Sequence, residues 1–256
     1  MYVAIDIGGT DLKYAIIDKQ LKLIEHHIIP TAKENLTVQI TKQIEAILHD
    51  IKRKKVEIDG IGISTAGVVN SKTGEIIYAG PTMPTYVGTN LKRFIVDNFH
   101  IPTSIINDVN AAAIGEKWLG GAQSYSHFLC ITIGTGIGGA VFINNELYAG
   151  KYFRAGEIGH IPFRNNERLS YEQVASMSAL LDRARQEFQF NGKGKQLFEL
   201  AKQGNLLANT LIDSWIKDLC SGLIPVLCTI DVEAIIIGGA VSQQGDFLIN
   251  KVKSQL

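Results

Sequence analysis

The chain opens on short apolar runs, Tyr2 to Ile7, Tyr14 to Ile17 and Leu21 to Ile29, the first two parted by Gly8-Gly9-Thr10. Runs of this length, rich in Ile and bounded by turn residues, predict an antiparallel meander of three strands. Leu36, Ile40, Ile44, Ile47, Leu48 and Ile51 then recur at helical spacing. They predict an amphipathic helix capped by Asn35 and ending in Lys52-Arg53-Lys54-Lys55. A helix C-terminus favours cations, so the basic run reads as a solvated last turn and not as a nucleic-acid patch. Ile58 to Ser64 predicts a strand broken by Thr65-Ala66-Gly67, and Asn70 to Gly74 a hairpin loop leading into Glu75 to Tyr78. Gly80-Pro81-Thr82-Met83-Pro84 excludes regular structure and predicts a loop. A helix from Thr89 or Asn90 to Phe99, a buried strand Thr103 to Ile106 and a helix Asn110 to Leu119 follow.

The pattern then begins again. Phe128 to Ile133, the loop Gly134-Thr135-Gly136-Ile137-Gly138-Gly139 and Ala140 to Ile143 repeat the strand, glycine loop, strand design of the opening. Helical patterns run from Tyr171 to Thr229, Ala234 to Ile237 reads as a strand ended by Gly238-Gly239, and a helix starts near Phe247. The doubling is architectural and not a sequence repeat. It predicts an α/β protein of two domains, 1–110 and 111–256, facing each other across a cleft, with the helix Asn110 to Leu119 as hinge.

Composition narrows the class. Hydrophobic residues make up 46% and charged ones 20% of 256 residues, as in soluble globular proteins. Lys+Arg and Asp+Glu both number 25, so no global field draws the chain to nucleic acid or to a membrane. Cys130, Cys220 and Cys228 lie in apolar contexts without a Cys-x-Cys or Cys-x-x-Cys pair, as expected of buried, reduced thiols in the cytoplasm.

Three glycine-rich turns stand at strand ends: Gly8-Gly9-Thr10, Gly134 to Gly139, and Gly238-Gly239-Ala240. Glycine lets backbone N–H groups approach an anion, Thr10 adds a hydroxyl, Lys13 a cation, and Asp6 a carboxylate able to hold hydrated Mg2+ through water. A hairpin that merely needs glycine is the plainer alternative. The Gly134 turn continues as a strand-like run, which argues against a dinucleotide fingerprint. Asp108, at a strand end, is the candidate base for a hydroxyl proton, with helix capping the alternative for it and for Asn107. Glu157, His160 and Glu172 suit hydrogen bonds to vicinal hydroxyls of a sugar, or form an ordinary surface turn.

Four of these stretches together resemble the ROK family of sugar kinases and related repressors. They are Asp6-Ile7-Gly8-Gly9-Thr10-Asp11-Leu12-Lys13, Asn107-Asp108-Val109-Asn110-Ala111-Ala112, Gly134 to Gly139, and Gly156-Glu157-Ile158-Gly159-His160, in the family's order and spacing. The resemblance implies an actin-like, ribonuclease-H-like fold with two lobes around a nucleotide cleft. By the same resemblance Asp6 lies near the metal, and Gly8, Gly9, Thr10 and Lys13 near one phosphate. Gly134, Thr135, Gly136 and Gly138 match a second phosphate loop, and Gly238 and Gly239 the turn against adenosine. Asp108 matches the catalytic base, while Asn107, Glu157, His160 and Glu172 match ligands of sugar hydroxyls. Gly67 matches the backbone that closes over the sugar.

The resemblance implies ATP and Mg2+ as cofactors, a sugar as substrate, a cytoplasmic homodimer, and no nucleic-acid or membrane partner. Three departures stand out. The next cysteine after His160 is Cys220, so the family's structural zinc is not expected, and the loop Ile161 to Leu169 is expected to be held by packing. The chain starts at the first strand, which matches family kinases and not repressors with an N-terminal DNA-binding domain. It stops about 30–40 residues before the usual kinase length, so the family's final helix is expected to be absent. Residues Ala79 to Asn90 resemble zinc-free bacterial N-acetylmannosamine kinases, which phosphorylate the 6-hydroxyl, although Val68 stands where better-studied ones carry arginine. Glucokinase, fructokinase and β-glucoside kinase are the alternatives within the family, and a non-catalytic sugar-responsive regulator the alternative outside it.

Overall fold

The computed structural model describes residues 1–80, 83–164 and 169–256. Two compact units emerge, Met1–Ala111 with Lys151–Arg154, and Ala112–Gly150 with Ala155–Leu256. In the first, β1 (Tyr2–Ile7), β2 (Asp11–Ile17) and β3 (Leu23–Pro30) form the expected meander. After α1 (Leu36–Arg53) come β4 (Gly60–Thr65), the hairpin β5 (Val68–Asn70) and β6 (Glu75–Tyr78), α2 (Leu91–Phe99), β7 (Thr103–Asn107) and α3 (Asp108–Leu119). The main sheet runs β3-β2-β1-β4-β7, with β1, β4 and β7 parallel.

Along β1 every second residue is buried, Val3, Ile5 and Ile7, because a strand sends alternate side chains to one face. That face packs with Leu36, Ile40, Ile44, Ile47, Leu48 and Ile51 of α1, each contributing about 1.5–3 kcal/mol by leaving water. Asn35 precedes α1 as expected, yet it does not cap. It is left-handed (φ 45°) and makes no side-chain cap bond, while the Thr85 hydroxyl accepts from Leu36 N at 3.0 Å. Asn90 does cap α2, accepting from Arg93 N at 2.9 Å.

The expected loop Gly80 to Pro84 and the stretch Ala79 to Asn90 include residues 81 and 82, which lie outside the described residues. The described part is anchored: Met83 and Tyr86 are buried, and the Tyr86 hydroxyl bonds the Thr65 hydroxyl at 3.0 Å. Burial pushes the Tyr86 phenol up to about 12, against the bond from Thr65.

The second unit starts with the same strand order. β8 (Phe128–Ile133), β9 (Ile137–Ile143) and β10 (Glu146–Leu147) are antiparallel. The short strands β11 (Pro162–Arg164) and β12 (Leu169–Ser170) pair with each other. Four helices follow, α4 (Tyr171–Ala175), α5 (Met177–Phe188), α6 (Gly194–Lys202) and α7 (Leu206–Ile230), then β13 (Ala234–Gly238) and α8 (Asp246–Lys253). The sheet β10-β9-β8-β13 has one parallel strand where the first has two, so the doubling is shorter than the sequence pattern suggests. Helix α7 fills the core: Trp215 is buried and donates to Ala175 O at 2.8 Å, and the Tyr171 hydroxyl donates to Leu219 O at 2.6 Å. Cys130 and Cys220 are buried as expected, whereas Cys228, near the end of α7, is exposed.

Several expected boundaries shift: β2 begins at Asp11 instead of Tyr14, β3 at Leu23 instead of Leu21, and β4 at Gly60 instead of Ile58. Strand β9 begins at Ile137, so Gly138 and Gly139 are ladder residues opposite Thr132 and Ile131 and the turn is only Gly134 to Gly136. Helix α3 begins at Asp108, two residues ahead of the expected start. Residues 165–168 of the loop expected to be held by packing lie outside the described residues, but its flank Phe163 stacks on Tyr171 with ring centroids 5.8 Å apart.

Candidate functional site

Parallel register explains which polar residues meet in the first unit. Ile7 lies beside Thr65, and Thr65 beside Asn107, so the C-terminal ends of β1, β4 and β7 are aligned. One step back, Asp6 lies beside Ser64, whose hydroxyl donates to Asp6 Oδ1 at 2.8 Å. Lys13, across the hairpin from Asp6, brings its Nζ to 3.4 Å from Oδ2. Asp6 is thus a partly exposed carboxylate with one oxygen fixed and the other only loosely paired. That donor set fits a hydrated Mg2+ reached through water.

At the next strand end Asn107 uses its whole amide. Its Oδ1 accepts from Val109 N at 2.9 Å and Asn110 N at 3.1 Å, capping α3, while Nδ2 donates to Gly67 O and to Asp108 Oδ1, both at 3.0 Å. Capping therefore falls chiefly to Asn107, and Asp108, the first helical residue, also accepts from Val109 N at 2.9 Å. Desolvation raises the Asp108 carboxyl above the usual aspartate value and the Asp6 charge adds to the rise, against hydrogen bonds from Val109 and Asn107 that lower it. The side chain is nevertheless exposed, so protein withholds part of its hydration while a ligand still has access. A carboxylate so placed, oriented by one amide and reachable from solvent, is equipped to take a proton from a hydroxyl.

Gly67 sits at φ 97°, and a Cβ there would lie 2.4 Å from Tyr78 O, so only glycine fits this turn. Val68 is buried, and that position offers no side chain to a ligand. The Gly8-Gly9-Thr10 turn is braced from the segment after β3, where the Thr31 hydroxyl and Lys33 donate to Gly8 O and Gly9 O.

In the second unit the Gly134 to Gly136 turn closes on itself, Gly134 N donating to Gly136 O at 3.0 Å, and Met177 N donates to Gly134 O at 3.0 Å. Thr135 is exposed at its tip. Glu172 accepts from Ile137 N at 3.3 Å, and a Cβ on Gly136 would meet its Oε2 at 2.3 Å, so glycine leaves room for this carboxylate. His160 lies between two acids, with Nε2 3.6 Å from Glu157 Oε2 and Nδ1 3.8 Å from Glu172 Oε1. Gly239, at φ 84°, would carry a Cβ 2.6 Å from Ile133 O, so the third glycine turn abuts the end of β8 beside the second. Gly238 is the last residue of β13.

The sequence-expected residues thus gather in two groups. Asp6, Gly8, Gly9, Thr10, Lys13, Gly67, Asn107 and Asp108 belong to the first unit, and Gly134, Thr135, Gly136, Gly138, Glu157, His160, Glu172, Gly238 and Gly239 to the second. Ser64, Thr31 and Lys33 were not among them. Ser64 becomes visible only once the β1–β4 register is known.

The sequence profile of the ROK family matches residues 2–256. The chain belongs to the ROK family. A β-glucoside kinase of Listeria monocytogenes is 32% identical over 257 residues, covering 96% of this chain and 84% of that one. Among solved structures, a candidate N-acetylmannosamine kinase from Listeria monocytogenes superposes with TM-score 0.85 at 29% identity, covering 99% of this ROK chain and 88% of that one. A ROK glucokinase from Streptomyces griseus, in complex with glucose and AMPPNP, gives 0.81 at 26% identity, with 99% and 88% covered. The fold is the actin-like α/β fold expected of the family.

Proposed function

We propose that this ROK protein is an ATP-dependent sugar kinase that phosphorylates the 6-hydroxyl of N-acetylmannosamine. The observation that carries the kinase reading is the Asn107–Asp108 constellation: a solvent-accessible carboxylate, raised by desolvation and oriented by a neighbouring amide, two strands from Asp6. Asp108 takes the proton of the attacking hydroxyl. Asn107 fixes Asp108 and Gly67, and with Glu157, His160 and Glu172 it reads the sugar hydroxyls. Gly8, Gly9, Thr10 and Lys13 hold phosphate, as do Gly134, Thr135 and Gly136, with Gly138 setting the strand behind them. Gly238 and Gly239 lie against adenosine. Asp6, steadied by Ser64, would hold Mg2+ through water, and bound Mg2+ would neutralise phosphate charge.

The choice of sugar is supported by the likeness of residues 79–90 to zinc-free N-acetylmannosamine kinases and by the Listeria structure. The 32% identical relative favours a β-glucoside as the second reading, with glucose and fructose behind it. A non-catalytic sugar-responsive regulator would bind sugar through the same residues without turnover. Among the described residues no helix is long and apolar enough to cross a membrane. A cytoplasmic homodimer is the proposed state. Coupled ADP release measured across hexoses, N-acetylhexosamines and a β-glucoside tests the reading. The highest kcat/KM is expected with N-acetylmannosamine, and a higher value with the β-glucoside would replace that assignment.

A further inference from the structure

We infer that Thr31 and Lys33, in the segment linking β3 to α1, are positioning residues that aim the first glycine turn at phosphate. This rests on the kinase reading above. Gly8 O does not close the hairpin; it accepts from the Thr31 hydroxyl at 2.7 Å. Gly9 O accepts from Lys33 Nζ at 2.6 Å, and Thr10 O accepts from Thr31 N at 2.9 Å. Three successive carbonyls are therefore held by one short strap.

A trans peptide points its C=O and its N–H in opposite directions. Holding Gly8 O and Gly9 O on the strap side turns the N–H groups of Gly9 and Thr10 to the other side. Gly8 N is used within the hairpin, donating to Asp11 O at 3.0 Å, whereas neither Gly9 N nor Thr10 N donates to an acceptor among the described residues. Two adjacent amide donors on one side of a turn converge on a single anion.

Without the strap this orientation would be costly. The Gly8-Gly9 pair has more backbone freedom than any other dipeptide, and its peptide planes would have to be ordered when the ligand arrives. The strap supplies that order beforehand, which strengthens binding without adding a contact to the ligand. Thr31 is 2% exposed, so its bond is shielded from water, while Lys33 is exposed and adds a charge beside the turn.

The test measures affinity for MgATP and for a non-hydrolysable analogue by calorimetry, with KM and kcat, on T31V, T31S, K33M and K33R. T31V and K33M are expected to weaken nucleotide binding and raise the KM for ATP about tenfold, with kcat at saturating ATP within about twofold. Sugar affinity without nucleotide stays at the wild-type value. T31S keeps the hydroxyl and K33R keeps a charged donor, so both recover most of the loss. Should T31V fail to fold, the exposed pair K33M and K33R decides. Wild-type nucleotide affinity in both T31V and K33M overturns the assignment, as does a loss in T31S and K33R equal to that in T31V and K33M. A wild-type protein that binds no MgATP refutes the kinase reading itself, and the assignment with it.

Discussion

Gly159→Ala puts the packing beneath the His160 turn to a quantitative test. Residues Ile158–His160 form one turn of 3-10 helix laid directly on the start of β9. A Cβ on Gly159 would sit 2.1 Å from Ile137 O, 3.1 Å from Ile137 C and 3.3 Å from Glu172 Oε2. Ordinary contact begins near 3.4 Å, so the turn must lift by about 1.3 Å or β9 must yield. Neither element is soft: Ile137 pairs with Ile133 in the β8–β9 ladder, and Ile158 is in the core. Overpacking against backbone costs about 2–3 kcal/mol, a fall in Tm of roughly 4–12 °C for a protein of this size.

The same displacement carries His160 and Glu157 away from Glu172. A shift of about 1 Å in positioning groups lowers turnover about 100-fold. The assay pairs urea unfolding with ADP release, and Gly115→Ala serves as control. Gly115 is exposed within α3 and a Cβ there meets nothing within 4 Å, so alanine should stabilise the helix by about 0.5–1 kcal/mol. Two substitutions of one chemical kind thus have opposite signs. A Gly159→Ala protein as stable and as active as wild type would refute the reasoning.

Asp108→Asn should leave sugar affinity intact and lower turnover by about 10^2-fold or more, measured by isothermal binding and steady-state kinetics. Because the folded Asp108 pKa is raised, its ionised form is disfavoured by folding, and the stability it contributes at low pH is lost as pH rises through that pKa. Asp108→Asn should therefore be more stable than wild type at neutral pH, a gain that vanishes below the usual aspartate range, and the acid limb of wild-type turnover should lie above that range. Ser64→Ala removes the bond to Asp6 and should raise the Mg2+ concentration for half-maximal rate roughly tenfold in a metal titration. Asn90→Ala should cost about 1 kcal/mol through the lost cap of α2, while Asn35→Gly, at a left-handed position without a cap bond, should be neutral or stabilising in chemical denaturation.

Much of the fold was legible because apolar runs and helical spacing report burial directly: β1, α1, α2 and β8 appear where the pattern puts them. What failed were boundaries decided by neighbours distant in sequence. Gly138 and Gly139 read as loop because glycine marks turns, yet they lie in β9, and a Cβ on Gly139 would meet Gly156 O at 2.5 Å. Asn35 has the chemistry of a cap, but its backbone is left-handed and Thr85 supplies the acceptor. The Asn107-Asp108 pair was visible as a motif; its division of labour, with Asn107 making most of the capping bonds and orienting the Asp108 carboxylate, needed hydrogen bonds that spacing does not encode. Ser64 was hidden because parallel register between β1 and β4 has no local signature.

The most direct measurement follows the phosphoryl group. Purified protein is incubated with MgATP and N-acetylmannosamine, and phosphorus NMR is recorded over time. The γ-phosphate signal should give way to a sugar monophosphate ester at C6, in step with ADP, and Asp108→Asn should slow this about 100-fold. Intact ATP beside any bound sugar of the panel, or ADP with free phosphate and no ester, would contradict the account.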